Sequence, residues 1–246
     1  MINRTPRALS IAGLPRTPGH PWSGGTRDAL AWAASLAYRS VHLDAASPDT
    51  RARDLSRSAR RDLAAVLRRL SLLPAGLDLW IPPEHFASGA HVQRACEAVT
   101  DAIDLASELG ALAGTPPPVV CIQVSPGATA DVARSLGMAA ERRGVRLADH
   151  AWPARPDASL AIGIDPASML GAGADPVQGV TTLAGTPATA RLSDLSAAGR
   201  VPAGDGRLDV LLYEGALSAR SFEGPLVVDV RHLREPAAAA QTLSAP

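Results

Sequence analysis

A chain of 246 residues is long enough to bury a sizeable core, as one large α/β domain or two small ones. Its 24 basic side chains are balanced by 24 acidic ones, so the Lys/Arg excess that neutralises phosphate is missing and nucleic-acid binding is not expected. Every basic residue is arginine, which excludes lysine Schiff-base chemistry and makes each cation a planar, permanently charged fork.

The segment 1–7 has no apolar signal core, and Asp, Arg or Pro interrupts each greasy stretch short of the roughly 18 residues a membrane span requires. A cytoplasmic protein with no membrane partner is expected. Cys96 (RACEAV) and Cys121 (VVCIQV) lie in apolar contexts and read as buried free thiols.

Taken in chain order, the pattern is an alternation. A strand-like run begins near Ala8 (ALSIAG) and a helical stripe covers 26–38. Strands near Ser40 (SVHLDA) and Gly76 (GLDLWIP) follow, separated by a helix over 55–73. A helix over 91–112 precedes the strand near Pro118 (PVVCIQVS), and a helix over 128–143 precedes the one near Val145 (VRLADHA). Only 152–159 separate that strand from the next, near Leu160 (LAIGID), fewer than the dozen or so residues of a helical crossover, so the fifth helix is expected to be short or missing. Helices over 167–183 and 208–219 flank the strand near Ala188 (ATARLSDL), and Gly224 opens the last strand (GPLVVDVR). Segment 236–246 reads as a short helix or frayed tail, and Ser125 and Asp165 as caps of the fourth and fifth helices.

Strands alternating with helices imply right-handed crossovers and a parallel sheet, and eight such strands in one chain of this length predict a single (β/α)8 barrel domain over 1–246. The doubly wound alternative usually carries a Gly-rich phosphate turn after its first strand. Here prolines occupy that turn (AGLPRTPGHPWSGG).

A barrel of this kind works at the C-terminal ends of its strands. Those ends carry Asp44, then Trp80, Glu84 and His85, then Gln123, Asp149 and His150, Asp165, Arg191 and Asp194, and finally Asp229 and Arg231. In LVVDVR, period two puts Asp229 and Arg231 on one face, where crowded carboxylates must bind metal, pair with arginine or share a proton. His42 shares parity with Asp44 and reads as a satisfied core histidine. The Gly204-Asp205-Gly206 run reads as a turn. No nucleophile elbow, P-loop or metal-spaced Cys/His cluster is present.

The motifs LDLWIPPEHF, VRLADHAW, IGIDPASML, ARLSDL with VPAGDGRLD, and GPLVVDVR, in this order, resemble the xylose-isomerase-like TIM barrels, the group of sugar and sugar-phosphate isomerases and epimerases, over about 7–234. The resemblance implies a divalent cation such as Mn, Mg, Co or Zn held by Glu, Asp, His and Glu at the ends of strands five to eight, with the two glutamates moving the substrate proton. Those positions are Asp149, Asp165, Arg191 and Asp229 here, with Asp194 matching a second acid and Ser168 standing where the family has a substrate-contacting histidine. Arginine has only donors and cannot be a metal ligand, and each Glu-to-Asp change withdraws a carboxylate by roughly 1.5 Å against a catalytic tolerance of about 0.5 Å. No metal or other cofactor is therefore expected, and the acids are expected to pair with Arg191 and Arg231.

Two functions follow from that reading. The first is a metal-independent isomerase or epimerase of a sugar or sugar phosphate. Asp149 and Asp229 would be its acid/base pair, and His85 or His150 an auxiliary proton carrier. Arg191, with Asp165, Asp194, Arg231, Trp80 and Glu84, would hold the substrate. The second is a degenerate barrel that binds a sugar, an anionic ligand or a protein partner without turnover, Arg191 and Arg231 holding the anion and Trp80 stacking on a ring. A homo-oligomer is compatible with either.

Overall fold

The structure is a computed structural model describing residues 5–87, 89–155 and 159–244, so parts of the N-terminal segment, the short fifth connection and the closing segment lie outside the described residues. Eight parallel strands close on themselves in the order β1 (Arg7–Ser10), β2 (Ser40–Asp44), β3 (Leu73–Asp78), β4 (Val119–Ile122), β5 (Leu147–Asp149), β6 (Ala161–Ile164), β7 (Thr189–Leu192) and β10 (Leu226–Val228), which returns to β1. Helices α1 (Thr26–Ser35), α2 (Arg57–Arg69), α3 (Val92–Ala113), α4 (Ala130–Arg142), α5 (Pro166–Gly171), α6 (Pro176–Thr181), α7 (Val210–Ala219) and α8 (Pro236–Thr242) flank the barrel. This is the expected (β/α)8 barrel. Among the described residues no helix joins β5 to β6, and none of the helices is long and apolar enough to cross a membrane.

Strand alternation separates two interiors. Leu9, Val41, Leu43, Leu77, Val120, Ile122, Leu147, Leu192 and Val228 point outward against the helices and form the main core, each such side chain contributing roughly 1.5–3 kcal/mol on burial. The opposite parity faces the lumen, where Val119, Cys121 and Ala148 make a small separate apolar cluster. Small residues there leave room for large polar ones. A Cβ on Gly76 would come within 2.2 Å of the His42 ring, and one on Gly163 within 2.5 Å of the His150 ring.

Several boundaries differ from the sequence expectation. The helix expected over 167–183 is two helices, because Gly173 takes φ 77° and Asp175 starts a new helix, accepting the Val177 N–H ahead of Pro176. Thr129, not Ser125, caps α4 by accepting from Val132 N–H, while Ser125 Oγ accepts from Gly127 in the preceding turn. Asp165 does cap α5, accepting from Ser168 N–H. The run ATARLSDL is broken after Leu192, its last residues forming an antiparallel hairpin of β8 (Asp194–Ser196) with β9 (Gly199–Val201) above the barrel. Cys121 is buried and Cys96 only half-buried, and both are free thiols.

Candidate functional site

Inward parity places Arg191 of β7 in the middle of the barrel with no exposed surface. Its Nη2 donates to Asp78 Oδ1 at 2.5 Å, and its Nη1 lies 3.4 Å from Asp229 Oδ2. Asp78, equally buried, also accepts from Ser10 Oγ at 2.5 Å and meets His42 Nδ1 at 2.9 Å. Above this layer Arg231 grips Asp229 through Nε at 2.9 Å and Nη2 at 2.5 Å, and reaches Asp165 at 3.2 Å. The β8–β9 hairpin lowers Arg200 onto the same pair of acids, at 3.2 Å from Asp165 and 3.1 Å from Asp229. Ser193 Oγ completes Asp165 at 2.6 Å.

Three carboxylates, Asp78, Asp165 and Asp229, thus face three guanidiniums, Arg191, Arg200 and Arg231. Burial alone would push the acids toward the neutral form. At Asp229 the cost of burial is outweighed by Arg231 and Arg191, which hold it at about 2. At Asp165 burial is outweighed by Arg200 and Arg231, and at Asp78 by Arg191 and His42, so both sit well below the usual carboxylate range. Burial disfavours the Arg191 cation in turn, but Asp78 and Asp229 more than compensate and raise its pKa. The array is ionised and internally neutral.

Trp80 sits against it as a cation–π platform, its ring 3.7 Å from the Arg231 guanidinium carbon and 4.5 Å from that of Arg191. The ring expected to stack on a substrate is therefore already covered by arginine. His150 meets the ring edge-on at 5.5 Å. Burial first, and the Arg191 charge second, push His150 down to about 3, so its imidazole is neutral. Neither of its nitrogens, nor Trp80 Nε1, has a hydrogen-bond partner among the described residues.

The remaining expected site residues lie elsewhere. Asp149 does not join Asp165 and Asp229. Its Oδ1 accepts from Val124 and Ala151 N–H at 2.9 and 3.0 Å, and its Oδ2 lies 3.3 Å from Arg155 Nε. Burial raises its pKa, an effect those backbone donors and Arg155 only partly offset. Asp194, expected to hold substrate, spends its carboxylate on the N–H groups of Leu195, Gly204, Gly206, Arg207 and Leu208, with four of the five within 2.9 Å. It organises the turn read as Gly204-Asp205-Gly206 and faces no mouth. Glu84 is exposed, and His85 stacks on His91 at 4.5 Å, on a 3₁₀ turn outside the ion-pair array.

Sequence reasoning missed Asp78, Arg200, Arg155, Ser10 and Ser193. The signal for Asp78 was present: it shares strand parity with Trp80 in GLDLWIP, as His42 does with Asp44. Arg200 carried no such signal, since only the hairpin brings it over the mouth.

The donor set does not fit the divalent cation of the resembling family. Asp165 and Asp229 each already contact two or more guanidiniums, Asp149 is turned to Arg155, and Arg191 would repel a cation at the imidazole position. His42, Asp78 and Cys121 do bring potential ligand atoms within 4.8 Å of one another, but Arg191 shares the Asp78 oxygen that a metal would need.

No known family profile matches the sequence, and no curated protein does. Solved structures match the fold. A xylose isomerase domain protein from Planctomyces limnophilus superposes with TM-score 0.70 at 17% identity, covering 98% of this chain and 93% of that one. A xylose isomerase-like TIM barrel protein from Mycobacterium smegmatis, in complex with magnesium, gives 0.67 at 14% identity over 96% and 94%. An L-ribulose 3-epimerase gives 0.65 at 15% identity over 99% and 88%. The chain shares the TIM-barrel fold of these structures.

Proposed function

We propose that this barrel binds a small sugar-like or anionic molecule at its C-terminal face and does not turn it over. The observation that carries the reading is the array at the mouth, in which guanidiniums hold all three acids while Arg191 keeps Nε and Nη1 without a hydrogen-bond partner among the described residues. Isomerisation or epimerisation next to a carbonyl needs a base that faces substrate and has a pKa near the working pH. Asp229, held at about 2 under Arg231, is too weak a base and too well covered. His150, with a conjugate acid near 3, is a similarly weak one. The L-ribulose 3-epimerase and the other sugar-acting structural neighbours support the sugar-like ligand class.

The isomerase or epimerase reading keeps one supporting feature, the raised pKa of Asp149, which moves that carboxylate toward the general-base range. Deuterium uptake distinguishes the two. Ketoses and ketose phosphates are incubated with the protein in heavy water, with and without Mg or Mn, and the proton next to the carbonyl is followed by NMR. No exchange above a protein-free control is expected. Exchange by the wild type that disappears in Asp149→Asn would establish turnover and overturn the binding reading.

A further inference from the structure

Beside the mouth, the loops after β2 and β3 and the first turns of α3 enclose a groove of about 630 Å³ that the ion-pair array does not use. Its existence follows from residue size: alanines line both walls, Ala45, Ala46 and Ala52 from the β2 loop and Ala95, Ala98 and Ala102 from one face of α3. Larger side chains there would close it. One end is Trp80, whose Nε1 is buried without a hydrogen-bond partner among the described residues. The rim carries Arg51, Arg53 and Arg94 against a single acid, Asp101. Arg51 and Arg53 share Asp54, at 3.2 and 3.9 Å, while the exposed Arg94 has no ion pair among the described residues. His85 and His91, stacked at 4.5 Å, form the remaining flat wall.

We infer that this groove is a binding site for an anion with a planar apolar body, an aromatic carboxylate in chemical class, its carboxylate toward Arg94 and its ring against the alanine walls and the imidazoles. The volume suits a small organic ligand, and the mixture of apolar walls with a few convergent cations is what such a ligand needs. A polyol phosphate fits less well. Among the described residues no Ser, Thr, Asn, Gln or Tyr side chain lines the groove, so hydroxyls set against the alanine walls, away from the arginines, the histidines and Asp101, would lose water without finding partners there. The inference deepens the binding reading and rests on it for the presence of a ligand at this face. Its test reads the groove, not proton transfer at the mouth, so the two fail separately.

The probe is 2-naphthoate, titrated by calorimetry and by the ring signals of His85 and His91. Saturable binding that shifts both rings is expected. Arg94→Gln should weaken binding roughly tenfold, as should replacing the probe by its neutral alcohol, 2-naphthalenemethanol. Ala98→Trp, which fills the groove without removing a charge, should abolish binding, and fructose 6-phosphate should not displace the probe. The inference is overturned if 2-naphthoate fails to bind, if the alcohol binds equally well, if fructose 6-phosphate displaces the probe, or if Arg94→Gln leaves its affinity unchanged.

Discussion

Arg191→Met removes one charge from the centre of the array and nearly preserves side-chain volume. The losses are unequal. Asp229 keeps Arg231 at 2.5 Å and Arg200 at 3.1 Å, but Asp78, with no exposed surface, is left with only Ser10 and His42. Three acids then face two guanidiniums, and removing one partner of a buried pair costs about 3–5 kcal/mol, well above the 1 kcal/mol of a surface pair. Protonating Asp78 is the easiest relief, so the cost should shrink as the pH falls. Asp78→Asn/Arg191→Met removes the pair together while keeping an acceptor for Ser10, and should destabilise by about 2 kcal/mol less than the sum of its single variants. Urea unfolding of all four proteins at pH 7 measures the cycle. A cost for Arg191→Met below about 1 kcal/mol, or strict additivity, would refute a central role for this guanidinium.

Two further outcomes are expected. His150 is lowered from 6.5 to about 3 in the folded chain, so the unfolded chain takes up its proton first and stability is lost as pH falls through that window. Urea midpoints should register a loss of about 1 kcal/mol between pH 6 and pH 5 that His150→Leu abolishes; an unchanged slope in the variant would contradict the neutral, desolvated imidazole. Asp194→Asn should cost about 2–4 kcal/mol and accelerate amide exchange across 204–208, since an amide meets five N–H donors with a single oxygen. Unchanged protection there would refute its turn-building role.

The barrel was legible because its signals are local. Each strand run alternates or saturates with Leu, Val and Ile, and the stretch 152–159 read between the fifth and sixth runs is too short for a helical crossover; among the described residues no helix joins β5 to β6. The break at Gly173–Pro176 was legible too, in a Gly followed by an Asp-Pro start, but the apolar periodicity on both sides masked it. At the site, period two put Asp229 and Arg231 on one face and the family resemblance singled out Arg191, and the structure brings the three together. Asp149 illustrates where parity stops: its partner Arg155 comes from the irregular fifth connection, which has no period to read. Arg200 came within reach of Asp165 only because the chain doubles back after Leu192 into a hairpin, a tertiary event that the run ATARLSDL did not announce.

Divalent-metal titration of the purified protein tests the central claim most directly, because it asks whether guanidiniums have taken over the mouth. With Arg191, Arg200 and Arg231 saturating Asp78, Asp165 and Asp229, calorimetry with Mn, Mg, Co or Zn should give no saturable binding, and elemental analysis should find no stoichiometric ion. A stoichiometric ion that is lost in both Asp165→Asn and Asp229→Asn would contradict the account.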